Sequence, residues 1–245
     1  MEKIRVGAVN YLNTKPLIYG LEKGMMSDQV ELIIDYPANI AASLLDNKID
    51  IGLIPVAVLP HMKEYHIISE YCIGAVEDVA SVCLFSDVPI NEIKTILLDY
   101  QSRTSVALLK ILLKEYWRIT PEFVNTSENY QQFIKGTTAG LVIGDRALQQ
   151  RKVSKYIYDL AGTWIDFTKL PFVFAAWTSN KYLSETFIHQ FNVANKYGLD
   201  HLQDVIDQNS FEPYSLEKYY TQNISFILDS PKKEGLELFL SKLHA

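Results

Sequence analysis

The sequence contains only two cysteines, Cys72 and Cys83, among its 245 residues. Two cysteines cannot build a disulfide framework, and neither lies at a spacing typical of metal ligands. We therefore expect both to be buried residues that behave as small apolar side chains. The sequence therefore predicts no metal site at these residues.

Long apolar runs are also lacking, since no stretch approaches the roughly 20 residues that span a bilayer. Glu2 and Lys3 lead directly into the first strand with no apolar leader, which predicts a cytoplasmic protein. The net charge of −6 argues against nucleic acid or an anionic membrane as a partner. A small anionic substrate remains compatible with this charge, because helix N-termini and a local arginine can bind an anion.

The usual catalytic motifs are missing as well: the chain has no GxSxG elbow, Walker loop, GxGxxG fingerprint or HExxH pair. None of the histidines falls in a turn that follows a predicted strand, so each is expected at the surface or in the core. These histidines are His61, His66, His189, His201 and His244. A pocket without a nucleophile–base pair indicates either a binding protein or an enzyme whose substrate supplies much of the reactivity.

What the chain does have is a regular alternation of strand-like and helix-like segments, which predicts an α/β fold with parallel sheets. The stretch VNYLNTKPL follows the apolar run IRVGAV and suits a strand that turns at once into a helix, with Pro16 in the first turn. Asn13 or Thr14 is placed to cap that helix. The same strand-to-helix turn recurs around Pro55, Ser102 and Asp145.

The segments divide into two sets, which predicts two lobes with helices on both sheet faces and a ligand cleft between them. Lobe one is expected over residues 1–84 and 177–245, and lobe two over residues 85–176. Apolar strands near 81–86 and 171–177 are the expected hinges. The aromatic residues around the second hinge are expected mostly in the core, with one or two walling the cleft: Trp164, Phe167, Phe172, Phe174 and Trp177.

The sequence SRTS opens a predicted helix after the strand TILLD, and Ser102 can cap it. Thr104, Ser105 and the free amide groups can hold a carboxylate, to which Arg103 could add a bidentate contact. Alternatively, the motif is a plain cap with Arg103 in solvent. In the sequence GDRA, Asp145 either caps the next helix or accepts a hydrogen bond from the substrate, and Asp99 can hold the SRTS loop.

The order and spacing of several segments make the chain resemble the chorismate dehydratase family of the futalosine route to menaquinone. These segments are VNYLNTKPL, IDIGLIPVAVL, SVCLFSD, DYQSRTSVALLKILL, LVIGDRAL and DLAGTWIDFTKLPFVFAAW. The resemblance implies a two-lobed periplasmic-binding-protein-like fold of the second type, with mixed sheets. It also implies dehydration of chorismate to 3-[(1-carboxyvinyl)oxy]benzoate without a cofactor.

The resemblance further assigns roles to residues. It places a catalytic role on Asn13, which would orient the enolpyruvyl carboxylate that acts as the proton acceptor. It implies that the helix start of Ser102, Arg103, Thr104 and Ser105 binds a substrate carboxylate. Thr14, Ser81, Ser86, Gly144 and Asp145 are the further expected cleft contacts.

Two other functions remain open at this point. One is 1,4-dihydroxy-6-naphthoate synthase of the same pathway, which would use the same fold on a cyclic futalosine derivative. The other is a non-catalytic cytoplasmic protein that binds a small anion. Turnover of chorismate would separate the dehydratase from both.

Overall fold

A computed structural model describes residues 3–243, so His244 lies outside the described residues. The strands of this part of the chain are, in order, β1 Ile4–Val9, β2 Val30–Asp35, β3 Ile51–Pro55, β4 His66–Ala75, β5 Val82–Ser86, β6 Thr95–Leu98, β7 Glu122–Asn125, β8 Thr138–Ile143, β9 Tyr156–Asp159, β10 Phe172–Ser179 and β11 Ser225–Ile227. The α-helices are α1 Lys15–Glu22, α2 Pro37–Leu45, α3 Arg103–Leu112, α4 Gly144–Gln150, α5 Leu160–Thr168, α6 Glu185–Asp200, α7 Leu202–Gln208, α8 Leu216–Lys218 and α9 Ser230–Lys242.

Short helical turns connect several of these elements. Turns of 3-10 type cover Leu12–Thr14, Val56–His61, Ile90–Glu92 and Tyr130–Phe133. Turns of π type extend α3 over Leu113–Trp117 and α8 over Tyr219–Asn223. The short helix expected after Pro55 is therefore present as a 3-10 turn.

The strands form two mixed sheets, which confirms the predicted α/β class. The first sheet has the order β11-β4-β10-β3-β1-β2, in which β1 runs parallel to β2 and β3 while β10 runs antiparallel to β3 and β4. The second has the order β7-β6-β8-β5-β9, in which β6 runs parallel to β7 and β8 while β5 runs antiparallel to β8 and β9. Each sheet forms the framework of one lobe.

The sheets divide the chain at positions that differ from the expected hinge strands. All of β5 pairs within the second sheet, and all of β10 pairs within the first. The chain therefore passes between the sheets before each of these strands, over residues 76–81 and 169–171. The apolar runs are central strands with a neighbouring strand on each side, and the crossings lie in irregular segments beside them.

The first crossing is fixed by a buried carboxylate. The side chain of Asp159 accepts hydrogen bonds from the backbone N–H groups of Val79, Ala80, Ala161 and Gly162, at 2.8–3.2 Å. Ala80 has a φ of 63°, a left-handed conformation that alanine rarely adopts. Asp159 therefore holds a strained turn in place at the entrance to the second lobe.

Both lobes contribute to a core rich in aromatic side chains. Trp164 of α5, Phe172 of β10 and Phe239 of α9 pack edge to face, with ring centroids 5.0–6.1 Å apart. Cys72 and Cys83 are free thiols and fully buried, as expected. Of the aromatic residues expected near the second hinge, Trp164, Phe172, Phe174 and Trp177 are buried.

Candidate functional site

The cleft between the two lobes lies at the ends of strands from both sheets, as the strand-to-helix turns predicted. It encloses about 620 Å³ of space free of protein atoms, including its mouth. Its polar lining residues are Tyr11, Asn13, Thr14, Ser81, Gln101, Ser102, Thr104 and Ser105, with the backbone of Gly144. Its apolar walls are Val9, Pro37, Leu53, Pro55, Ile73, Val79, Val82, Ile143, Phe174 and Ala175.

Asn13 reaches the cleft from the 3-10 turn that joins β1 to α1. Its Oδ1 accepts a hydrogen bond of 3.3 Å from Oγ1 of Thr14, and its Nδ2 donates none to any residue between 3 and 243. The Asn13 amide is thus held on one side and free to donate on the other. A side-chain amide in this position can orient a carboxylate or stabilise developing charge.

Neither Asn13 nor Thr14 caps α1, so this prediction was wrong. Thr14 already has helical backbone angles, with φ −88° and ψ −27°, and its N–H bonds to the carbonyl of Tyr11. The 3-10 turn runs directly into α1, which leaves no residue in the extended conformation that a capping side chain needs. Pro16 lies in the first turn of α1, as expected.

The start of α3 faces the cleft from the second lobe. Ser102 has extended backbone angles and its Oγ accepts a 3.1 Å hydrogen bond from the N–H of Ser105, which confirms the predicted cap. Thr104 and Ser105 line the cleft and are almost fully buried. The first amide groups of a helix lack intrahelical acceptors, so this end of α3 can bind an anion.

Arg103 does not reach the cleft. It lines two grooves on the outer surface, one with Val106 and Lys110 and the other with Pro60 and His61. Successive helix residues point about 100° apart. Because Thr104 and Ser105 face inward, Arg103 is turned outward, and the structure brings the hydroxyls but not this guanidinium to the cleft.

The remaining expected contacts are divided between the cleft and its surroundings. Ser81 and Gly144 line the cleft, and the N–H of Gly144 donates a 2.7 Å hydrogen bond to the carbonyl of Ser81. Gly144 has a φ of 62°, which favours glycine, and the Tyr11 ring lies over it. Ser86 is not in the cleft lining: it is fully buried in β5, and its Oγ accepts from the N–H of Val88.

Asp145 lies behind the cleft lining and does not cap α4, contrary to one of the two alternatives. Ile143 occupies the capping position, while Asp145 accepts a 3.2 Å hydrogen bond from the N–H of Leu12 in the other lobe. Burial raises the pKa of Asp145 to about 6, against the opposing effects of the Leu12 N–H and of Lys15. This carboxyl group joins the lobes next to Asn13.

A polar chain at one end of the cleft was not anticipated. The Tyr11 hydroxyl donates a hydrogen bond to Oε1 of Gln101, and Nη2 of Arg146 donates to the same oxygen at 2.9 Å. Arg146 also pairs with both carboxylate oxygens of Asp99, at 3.0 and 3.1 Å, and Tyr130 donates to Asp99 at 2.7 Å. The expected support of the SRTS loop by Asp99 is present, because the N–H of Gln101 donates to it.

Among residues 3–243, the cleft lining contains no side chain that titrates near neutral pH. None of the residues that line it is a carboxylic acid, lysine, arginine, histidine or cysteine. Burial raises the pKa of Tyr11 to about 12, so its hydroxyl stays protonated and acts as a donor. The cleft therefore offers hydrogen-bond donors and apolar walls but no conventional general base.

The two mixed sheets, with a cleft between them that carries polar residues from both lobes, define the class of this protein. It has the periplasmic-binding-protein fold. A Candida albicans gene product described as having the generic periplasmic binding protein structural fold superposes with a TM-score of 0.61, at 12% identity over 100% of this chain and 95% of the other. Protein AF1704 from Archaeoglobus fulgidus superposes with a TM-score of 0.79, at 14% identity over 99% and 97%.

The sequence comparisons then place the chain in a family. The family model for menaquinone biosynthesis matches residues 4–245, and the chain belongs to that family. A curated relative is the chorismate dehydratase of Thermus thermophilus, which is 25% identical over 97% of this chain and 94% of the relative. Within residues 3–243, no helix is both long and apolar enough to cross a membrane.

Proposed function

We propose that this protein is a chorismate dehydratase, a hydro-lyase that converts chorismate to 3-[(1-carboxyvinyl)oxy]benzoate and water in the futalosine route to menaquinone. The observation that carries the proposal is the meeting of Asn13 and the start of α3 in one cleft that holds no general base. Membership of the menaquinone biosynthesis family and the curated dehydratase relative support it.

The reaction suits a cleft of this kind because the substrate carries both the base and the driving force. The C–H bond beside the ether breaks, and its proton passes to the enolpyruvyl carboxylate of the same molecule. The C–O bond to the ring hydroxyl then breaks, and the departing hydroxide takes that same proton from the carboxyl group, so that water leaves and the carboxylate is restored. The ring becomes aromatic, so the protein has only to position the carboxylate and stabilise the developing charge.

Each lobe has a distinct task in this proposal. Asn13 donates its free side-chain amide to the carboxylate that takes the proton. The start of α3, with Ser102, Thr104 and Ser105, binds a substrate carboxylate through hydroxyls and backbone amides. Thr14, Ser81 and Gly144 complete the polar lining, and the apolar walls exclude water, which strengthens these hydrogen bonds.

Asp145, Arg103 and Ser86 have no direct substrate contact in this mechanism, because none of them lines the cleft. Asp145 instead ties the turn that carries Asn13 to the second lobe. The proposed location is the cytoplasm, where a reducing environment suits two free and buried thiols.

The direct test is incubation of the purified protein with chorismate, followed by chromatography and ultraviolet detection of the aromatic product. A sample without protein measures spontaneous breakdown of chorismate. Formation of 3-[(1-carboxyvinyl)oxy]benzoate above that background is the expected result. Chorismate that binds without turnover would indicate the small-anion binding protein, and turnover of cyclic dehypoxanthine futalosine alone would indicate the naphthoate synthase.

A further inference from the structure

The proposed substrate carries two carboxylates, yet none of the residues lining the cleft has a positive charge. A dianion in an apolar cleft needs a compensating cation or several converging donors. The start of α3 provides for one carboxylate. The second meets the Asn13 amide, which is neutral, so its charge must be compensated by groups that contact the lining from behind.

Arg146 is the guanidinium that touches the cleft lining at two residues. It donates to Gln101, and it lies close enough to Tyr11 to lower the pKa of that hydroxyl against the larger effect of burial. Its Nη1 is buried without a hydrogen-bond partner in the part of the chain that the structure describes. A buried donor without an acceptor is costly, so this atom can bind an acceptor at a net gain.

Gln101 Oε1 marks the point at which these donors meet. The Tyr11 hydroxyl approaches this oxygen from the first lobe and Arg146 Nη2 from the second. An amide oxygen is a neutral acceptor of the same size as a carboxylate oxygen, but it forms weaker bonds with a guanidinium than a charged oxygen does. The Gln101 side chain thus occupies a position that a carboxylate oxygen would fill with a stronger interaction.

We propose that Tyr11 and Arg146 form a second carboxylate subsite, and that the Gln101 side chain occupies it until the substrate carboxylate displaces it. This inference rests on the proposed function, because it takes the ligand to be a dicarboxylate. Asp99 orients the guanidinium toward the subsite through two hydrogen bonds, and Tyr130 holds Asp99 in turn. Tyr100 supports the guanidinium from one face, with the Arg146 Cζ 5.2 Å from its ring centroid.

Two substitutions at Gln101 test the displacement, because they change the competing oxygen without touching the donors. Gln101→Ala removes the competitor, so chorismate should bind as tightly as to the wild type or more tightly. Gln101→Glu installs a permanent carboxylate on the same donors, so the dissociation constant for chorismate should rise by about tenfold or more. Isothermal titration calorimetry with chorismate measures both, with every variant and its reference carrying Asn13→Ala so that chorismate is converted only slowly during the titration.

The opposite pattern overturns the proposal. If the Gln101 amide itself binds the substrate, or serves only to hold the lobes together, Gln101→Ala will weaken binding by about tenfold or more. Wild-type affinity in Gln101→Glu would overturn it equally, since two carboxylates cannot share these donors.

Substitution of the arginine gives an independent test. Arg146→Met alone would leave Asp99 buried without its partner, so the double variant Asp99→Asn with Arg146→Met removes both charges together. Its affinity for chorismate should fall by about tenfold or more, while Arg118→Met, an exposed arginine beyond the far end of α3, serves as the matched control. Equal affinity in the double variant and the control would overturn the subsite.

The wild-type protein distinguishes failure of this inference from failure of the proposed function. If the wild type converts chorismate but the Gln101 and Arg146 variants bind it normally, only the subsite is wrong. If the wild type neither binds nor converts chorismate, both proposals are overturned.

Discussion

The backbone N–H of Ala57, in the first lobe, donates a 3.2 Å hydrogen bond to Oγ1 of Thr104, in the second. Both residues are buried, and Thr104 also lines the cleft. The hydroxyl of Thr104 therefore joins the lobes at the same place where the start of α3 faces the substrate. This one oxygen atom holds the two lobes together and also belongs to the polar lining of the cleft.

We expect Thr104→Val to weaken both of these contributions. The methyl group cannot accept from the Ala57 N–H, so the free energy of unfolding should fall by about 1 kcal/mol. The kcat/KM for chorismate should fall by about tenfold, because the two lobes are held together less firmly and the substrate is positioned less well. Thermal unfolding and steady-state kinetics measure the two effects. Thr104→Ser keeps the oxygen and is the matched control; a valine variant as stable and active as this serine variant would contradict the prediction.

Asn13→Ala should lower kcat by about 100-fold to 1,000-fold while leaving the fold intact, because it removes a donor that acts on the reacting carboxylate. The side chain makes one local hydrogen bond, to Thr14, so thermal stability should change little. Circular dichroism and product formation from chorismate are the measurements. Asn91→Ala, on an exposed 3-10 turn of the second lobe, is the control. Turnover by Asn13→Ala at a rate near that of the control would remove Asn13 from the mechanism.

Asp145 should make the stability of the protein depend on pH in a specific direction. Its pKa lies at about 6 in the folded protein, above the ordinary aspartate value of 3.8, so the folded state binds more protons than the unfolded state between these values. The contribution of this group to stability therefore falls as pH rises through that window, by about 3 kcal/mol in all. It is fully present at lower pH.

Asp145→Asn tests this prediction because the amide keeps an acceptor for the Leu12 N–H but does not titrate. Urea unfolding at about pH 4 and at about pH 7.5 gives the two stabilities to compare. The loss of stability between these pH values should be smaller in the variant than in the wild type. Burial also raises the pKa of Asp159 to about 6. This residue is present in both proteins, so its contribution to the pH dependence of stability is the same in each. Identical pH dependence of the two proteins would contradict the prediction.

Asp159→Ala should be strongly destabilising, because it leaves four backbone N–H groups of the first crossing and of α5 without their acceptor. We expect the free energy of unfolding to fall by about 3 kcal/mol or more. Chemical denaturation provides the measurement, and Asp166→Ala, an exposed aspartate of the same helix, provides the control. Unfolding of both variants at the same urea concentration would show that the carboxylate does not hold the crossing.

Much of the fold followed from local patterns in the sequence. Apolar β-branched runs predicted the central strands, and Ser102 was recognised as a cap because its hydrogen bond spans only three residues. Sheet membership of β5 and β10 was harder. An apolar run has the same composition in either lobe, and only its long-range pairing decides to which sheet it belongs.

The sequence predicts those site residues that lie at strand-to-helix turns. It does not predict the direction in which each side chain points from its helix. Asn13, Thr104 and Ser105 lie at strand-to-helix turns, and the structure brings them to one cleft. The sequence places Arg103 beside the SRTS hydroxyls and so predicts it at the cleft, but a rotation of one residue along α3 turns it outward. The Tyr11–Gln101 bond joins residues 90 positions apart, and no local pattern records such a contact.

The position of β10 also dictates an order of assembly during synthesis. The second sheet is built from one continuous stretch, residues 82–159, and can close as soon as that stretch has left the ribosome. In the first sheet, β10 lies between β3 and β4. Until residues 172–179 have been synthesised, the facing edges of β3 and β4 therefore stay unpaired. The lobe that carries Asn13 is thus begun first and finished last, and while it waits it is the part of the nascent protein most exposed to aggregation.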